Sequence, residues 1–302
     1  MLDSVQRASG RHHSVDVVQA RAGVIATEFS LLGLGSAMLL VISLAVASLG
    51  DAVMPVVRQA ATLATGMVVG GVLSLVCSHQ LDIGGCRRYS RHMDKLVWPL
   101  LLLAGLQLLA MAYCLAVPWP QPGATAWASA PMVCLMASSL LLAVPLLAGV
   151  ALRALGAPIL PAPMPATQLL QSIGQTLLAA AAMFLALCCS TQAVAPTARH
   201  AVAAAVCTLA APVLLGAAWL LRESRRVVRL LLASATRLPG VVRCHRIASA
   251  ATVAGLMLPS LLILHALVTG RDALIWPACV LMVGSNHAMR FAWTFAGWRS
   301  NP

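Results

Sequence analysis

SLLGLGSAMLLVISLAVASLG, residues 30–50, carries no charged side chain along its whole length. At about 1.5 Å rise per helical residue such a run spans the ~30 Å hydrocarbon core of a bilayer. Seven further runs of the same character follow it: Ala60–Ser78, Leu96–Val117, Ala128–Ala148, Leu169–Cys189, Ala201–Leu221, Ile247–Val268 and Ala273–Trp293. Backbone polar groups in lipid must be satisfied within their own element, and the alternating short segments of a barrel are absent from the sequence, so the runs read as helices. The expected fold is an all-α, polytopic transmembrane bundle of about eight spans. It divides into an N-terminal segment 1–27, a transmembrane domain over 28–297 with a basic loop at 222–246, and a tail at 298–302.

Composition agrees with this reading. Of 302 residues, 60% are hydrophobic and 9% charged, with a mean hydropathy of +0.89, too apolar for a water-soluble domain of this size to clothe in polar surface. The run at 30–50 exceeds the apolar core of a signal peptide, so it reads as a retained helix although Ala45 and Ala47 mimic a cleavage site. The partner implied for most of the surface is the lipid bilayer. A net charge of +12 does not argue for nucleic acid, because the arginines fall in short connections between apolar runs and form no separate basic domain. Nine cysteines, with no CxxC pair and most of them inside apolar runs, read as small buried hydrophobes.

The connections also orient the chain. With eight spans, sixteen Lys and Arg residues fall on one side, including Arg87, Arg88, Arg91 and Lys95 after the second span and seven arginines between Arg222 and Arg246. Only Arg58, Arg199 and Arg271 fall on the other. The positive-inside rule then puts both termini in the cytoplasm. Trp98, Trp219 and Trp293 lie at the expected inner boundaries and Trp119, Trp127 and Trp276 at the outer ones. Gly66, Gly70 and Gly71 give the second span a small-residue face for close helix packing, and Pro145, Pro212, Pro259 and Pro277 are candidate kinks.

Polar groups at membrane depth are costly and are therefore the first places to look for chemistry. Arg290 lies within the last run beside Ser285, Asn286 and His287; it is either a functional cation or a residue that snorkels to the cytoplasmic interface. His79 closes the second run and is followed by Asp82 and Asp94. A histidine near a carboxylate can take up and pass on a proton, as quinol oxidation demands; the bland alternative is an interfacial ring bonded to loop backbone. His265 has only Asp272 as an acidic neighbour and reads as structural, and Glu28 as an interfacial carboxylate at a helix N-terminus. No Walker A, GxGxxG, HExxH, CxxCH or GxSxG motif is present, and no bound metal or haem is expected.

Glu28-Phe29-Ser30-Leu31, His79, the segment Pro145-Leu146-Leu147-Ala148-Gly149 and the last-run cluster Gly284-Ser285-Asn286-His287-Ala288-Met289-Arg290 with Trp293 together resemble the membrane anchor subunit of dimethyl sulfoxide reductase. The resemblance implies a chain that binds and oxidises menaquinol and passes electrons to an iron–sulfur subunit, which feeds a molybdopterin subunit. On that reading His79 and Asp94 are the catalytic pair, His79 and Arg290 hold the quinol, and no metal is bound. Asn286 stands where the family has an acid four residues before its last-span arginine. The other reading is a small-molecule transporter, or a multi-pass membrane protein without a redox role. It calls for polar side chains at mid-bilayer, where the sequence offers Gln107 and small hydroxyl residues.

Overall fold

A computed structural model describes residues 2–80, 87–118, 129–155, 165–233, 250–251 and 253–299, with side chains described from 23 to 291 apart from the helix ends next to the gaps. The described residues are almost entirely helical and contain no strand. The helices are α1 (Leu2–Leu49), α2 (Met54–Gln80), α3 (Arg87–Ala116), α4 (Ala130–Ser138), α5 (Val144–Leu155), α6 (Pro165–Ser190), α7 (Pro196–Ala233), α8 (Leu258–Thr269) and α9 (Ile275–Arg299). Helix covers most of the described part of each apolar run. By length and composition, five helical segments could cross a membrane: Ala26–Cys77, Leu96–Ala116, Ala130–Leu152, Leu169–Ser190 and Pro196–Arg222.

The first of these segments is a hairpin. Gly50 takes φ +58, a left-handed conformation that a glycine adopts without steric cost, and the single turn Gly50–Val53 reverses the chain. Beyond it α2 packs back along α1: Gly35 meets Ala64 and Val68, Gly71 meets Leu32, and Ser74 Oγ donates to the carbonyl of Val24 at 3.2 Å. Small residues set the closeness of this contact. A Cβ on Gly35 would stand 2.7 Å from Val68 Cγ2, and one on Gly71 would stand 2.7 Å from the Leu32 amide nitrogen. Gly66, grouped with them by sequence, faces open space and takes no part.

Helix α1 is the axis of the bundle, with α2, α5, α6 and α9 all packed around it. Its residues Ala26–Leu39 are buried almost without a break, which is why the run has no amphipathic period: a helix covered on every side has no polar face to show. Peripheral helices show a period in burial, with apolar side chains on the outer face as well. Val97, Leu100, Ala104, Gln107, Met111 and Cys114 of α3 recur at alternating three- and four-residue spacing and are buried, while Trp98, Leu102 and Leu109 between them are largely exposed. Large apolar side chains on the outer face, where a soluble protein would carry polar ones, suit a lipid surround. Hydroxyls within the helices hide by donating to the carbonyl one turn back, as Ser36 does to Leu32 and Thr65 to Ala61.

Prolines are accommodated in two ways. Pro145 and Pro259 each follow a π-helical turn, Ser139–Ala143 and Val253–Met257 respectively. A proline withdraws the donor that would satisfy the carbonyl four residues earlier, and the wider turn re-pairs the local backbone. Pro277, expected to kink its helix, sits in the first turn of α9, where no intrahelical donor is needed. Pro99 and Pro212 are carried inside unbroken helices.

The ends of α6 and α8 are tied together at one pole of the bundle. Arg199 donates from Nη2 to Thr191 O and from Nε to Val194 O, each at 3.1 Å, capping the chain as it leaves α6. Its Nη1 meets Asp272 at 3.2 Å in the turn before α9. Asp272 therefore belongs to Arg199; His265, for which it was the acidic neighbour in sequence, is exposed.

Gly71→Ala should lower the thermal unfolding midpoint in detergent by forcing α1 and α2 apart, at a cost of about 1–3 kcal/mol. Gly66→Ala, with open space around it, should leave the midpoint unchanged or raise it, and equal losses from the two would contradict the packing described.

Candidate functional site

Three helices bring polar side chains together where α1, α6 and α9 meet. Arg290 of α9 points inward and is 7% exposed. It does not snorkel. Its Nη1 donates to the backbone carbonyl of Phe29 on α1, Nη2 to Thr176 Oγ1 on α6, and Nε to Asn286 Oδ1 one turn earlier on α9 at 3.4 Å. Thr176 in turn donates to Ser172 O at 2.7 Å, so its single hydroxyl is used as donor and acceptor at once.

Room for the guanidinium comes from Gly33. A Cβ there would lie 3.2 Å from Arg290 Nη2 and 3.3 Å from the methyl carbon of Thr176, closer than such atoms ordinarily approach. The same α1 segment supplies Ser30, whose Oγ lies 3.1 Å from His287 Nδ1, and Glu28, which is wholly buried. Glu28 sits mid-helix, because α1 runs unbroken from Leu2, so the reading of it as an N-terminal interfacial carboxylate is overturned. On α6, Gln175 Nε2 approaches Met289 Sδ at 3.5 Å, and Gln171 Nε2 donates to Val213 O of α7 at 2.8 Å. Asn286 is 3% exposed, and its amide nitrogen has no hydrogen-bond partner among the described residues.

Of the residues singled out by sequence, Arg290 is placed fully. His79 and Asp94 lie on α2 and α3, but their side chains are outside the described residues. Their helices still give their level in the bundle. Ser74 bonds Val24, so the last turn of α2 lies at the Glu28 end of α1. Val97 and Leu100, one and two turns after Asp94, pack with Phe29, Leu32 and Leu75 in one apolar cluster. All three candidates therefore belong to the same end of the bundle.

Sequence reasoning missed α6. Gln171 and Gln175 lie four residues apart, with Thr176 next in the chain, inside an otherwise apolar run, and that pattern was the available signal. Gln107, singled out at mid-bilayer, lies apart from the cluster: it is fully buried against α4, with Nε2 3.5 Å from Ser138 Oγ and Oε1 without a partner among the described residues. Groups of three or more histidine, cysteine or acidic side chains that could hold a metal ion do not occur among the described residues.

No family model, curated protein or solved structure matches this chain.

Thr176→Val should destabilise the protein by about 1–2 kcal/mol in a denaturant titration in mixed micelles, since it strips a buried guanidinium of one acceptor. Thr208→Val, at an exposed position on α7 where the hydroxyl bonds only its own helix, should change stability by less than about 0.5 kcal/mol.

Proposed function

We propose that this chain is the membrane anchor subunit of a dimethyl sulfoxide reductase-like complex in a bacterial inner membrane. It crosses that membrane eight times with both termini in the cytoplasm, binds and oxidises menaquinol, and passes the electrons to an iron–sulfur partner subunit that serves a molybdopterin subunit. The observation that supports this reading best is the polar cluster around Arg290, with His79 and Asp94 carried to the same end of the bundle.

Menaquinol gives up two electrons and two protons, and it reaches its site through lipid. A suitable site needs proton acceptors at the end of the bundle nearest the electron-accepting partner. It also needs a fixed polar frame that does not collapse when the ligand leaves. Under the proposed orientation that end faces the cytoplasm, where an iron–sulfur subunit could dock against the arginine-rich connections. His79 takes the two hydroxyl protons of the quinol in turn, and Asp94 relays each towards water before the next is taken. The electrons leave to the partner's cluster. Arg290 acts as a positioning residue: its bonds to Phe29, Thr176 and Asn286 hold α1, α6 and α9 in register around the site.

Binding of menadiol, a naphthohydroquinone without a tail, should weaken by about tenfold or more in His79→Ala, the loss expected for one hydrogen bond at a desolvated site. Unchanged affinity in a folded variant would remove His79 from the site.

A further inference from the structure

His287 stands one turn before Arg290 on α9 and is half-buried, so its ring reaches the surface of the bundle while the arginine does not. Its Nδ1 lies 3.1 Å from Ser30 Oγ. A serine hydroxyl has one proton to give. Ser30 gives it to the carbonyl of Ala26, at 2.7 Å within a buried stretch of α1. Towards His287 the serine oxygen can therefore only accept, and Nδ1 must carry a proton. A neutral imidazole fixed in that tautomer presents Nε2 as a bare acceptor. Among the described residues no group bonds Nε2.

The surface beside the ring is open on both helices. Gly284, one turn before His287, is exposed, and a Cβ built on it would touch nothing within 4 Å. Gly23, two turns before Ser30 on the same face of α1, is likewise clear. An unmet acceptor in apolar surroundings is costly, and a ligand that brings a hydroxyl in from the lipid removes the cost.

We propose that His287 Nε2 accepts a hydrogen bond from a hydroxyl of a membrane-soluble hydroquinone, whose ring lies over Gly284 at the seam between α1 and α9, with Ser30 as the residue that fixes the tautomer. This rests on the quinol reading and adds a ligand contact and a redox preference to it. A hydroquinone has hydroxyl protons to donate, whereas the oxidised quinone has only carbonyl acceptors and gains nothing from an acceptor nitrogen. The site therefore favours the reduced ligand.

The test uses the full chain in lipid nanodiscs with 15N-labelled histidine, the His287 signals being assigned by their loss in His287→Phe. The wild-type ring should be protonated at Nδ1 and bare at Nε2, and Ser30→Ala should let the other tautomer appear. Menadiol should bind His287→Phe about tenfold more weakly than wild type, while menadione affinity shifts by less than about threefold. A wild-type ring protonated at Nε2 overturns the inference, as does menadiol binding that His287→Phe leaves unchanged; the latter result leaves the quinol reading standing. A wild-type chain that binds no menadiol overturns both. If His287→Phe fails to fold, Ser30→Ala carries the binding arm, and menadiol affinity equal to wild type with the tautomer shifted overturns the contact.

Discussion

A guanidinium inside an apolar bundle must have its donors met by protein, and that requirement organises the centre of this molecule. Arg290 donates to a main-chain carbonyl of α1, a hydroxyl of α6 and an amide of its own helix. Each acceptor is itself held by something else. Phe29 O belongs to the most buried stretch of α1, Thr176 is tied to the carbonyl of Ser172, and Asn286 rides on the preceding turn of α9. A long cation with donors fixed in a planar fork can meet acceptors on two neighbouring helices and on its own at once. The geometry also explains Gly33, since a side chain there would occupy the guanidinium's space.

Around that junction the packing is governed by small residues. The α1–α2 hairpin closes on Gly35 and Gly71, α9 approaches the turn before α8 so closely that a Cβ on Gly255 would collide with Ser285, and Gly216 leaves the space taken by the Gln171 amide. In lipid no hydrophobic effect drives helices together, so close backbone approach and buried hydrogen bonds carry the association. The Arg199–Asp272 tie at the opposite pole is partly exposed and contributes less, by the usual weakness of solvent-screened pairs.

Helical content was legible in the sequence because an unbroken apolar run has few other solutions in a bilayer. The small-residue face of α2 was legible in part: Gly70 and Gly71 reach α1, and Gly66 does not, because spacing marks a face without saying which end of it the neighbour touches. Arg290 stood out as the one arginine inside a run, yet sequence could not separate burial from snorkelling. That choice depends on whether a neighbouring helix offers acceptors, and Thr176 lies more than a hundred residues away in the chain. Glu28 misled because the polar residues before it looked like a non-helical lead-in. The helix continues through them, so a position that reads as a terminus is the middle of a buried segment. Gln171 and Gln175 were passed over because a glutamine near the start of an apolar run looks interfacial until its partner on the next helix is known.

The register of α6 against α9 at the level of Arg290 is what the account rests on, and cysteine cross-linking reads it directly. Gln175→Cys with Met289→Cys in a cysteine-depleted chain replaces two long side chains whose ends touch at 3.5 Å, so a short bifunctional thiol reagent spans the gap that the truncation leaves. A protease site placed within 234–249 separates the two helices into different fragments. A membrane-permeant bis-methanethiosulfonate with a spacer of about 5 Å should leave the fragments joined after cleavage for this pair, while Gln175→Cys with the exposed Gly284→Cys should leave them free. Separation of the first pair, or equal joining of the second, would contradict a buried Arg290 at the meeting of α1, α6 and α9.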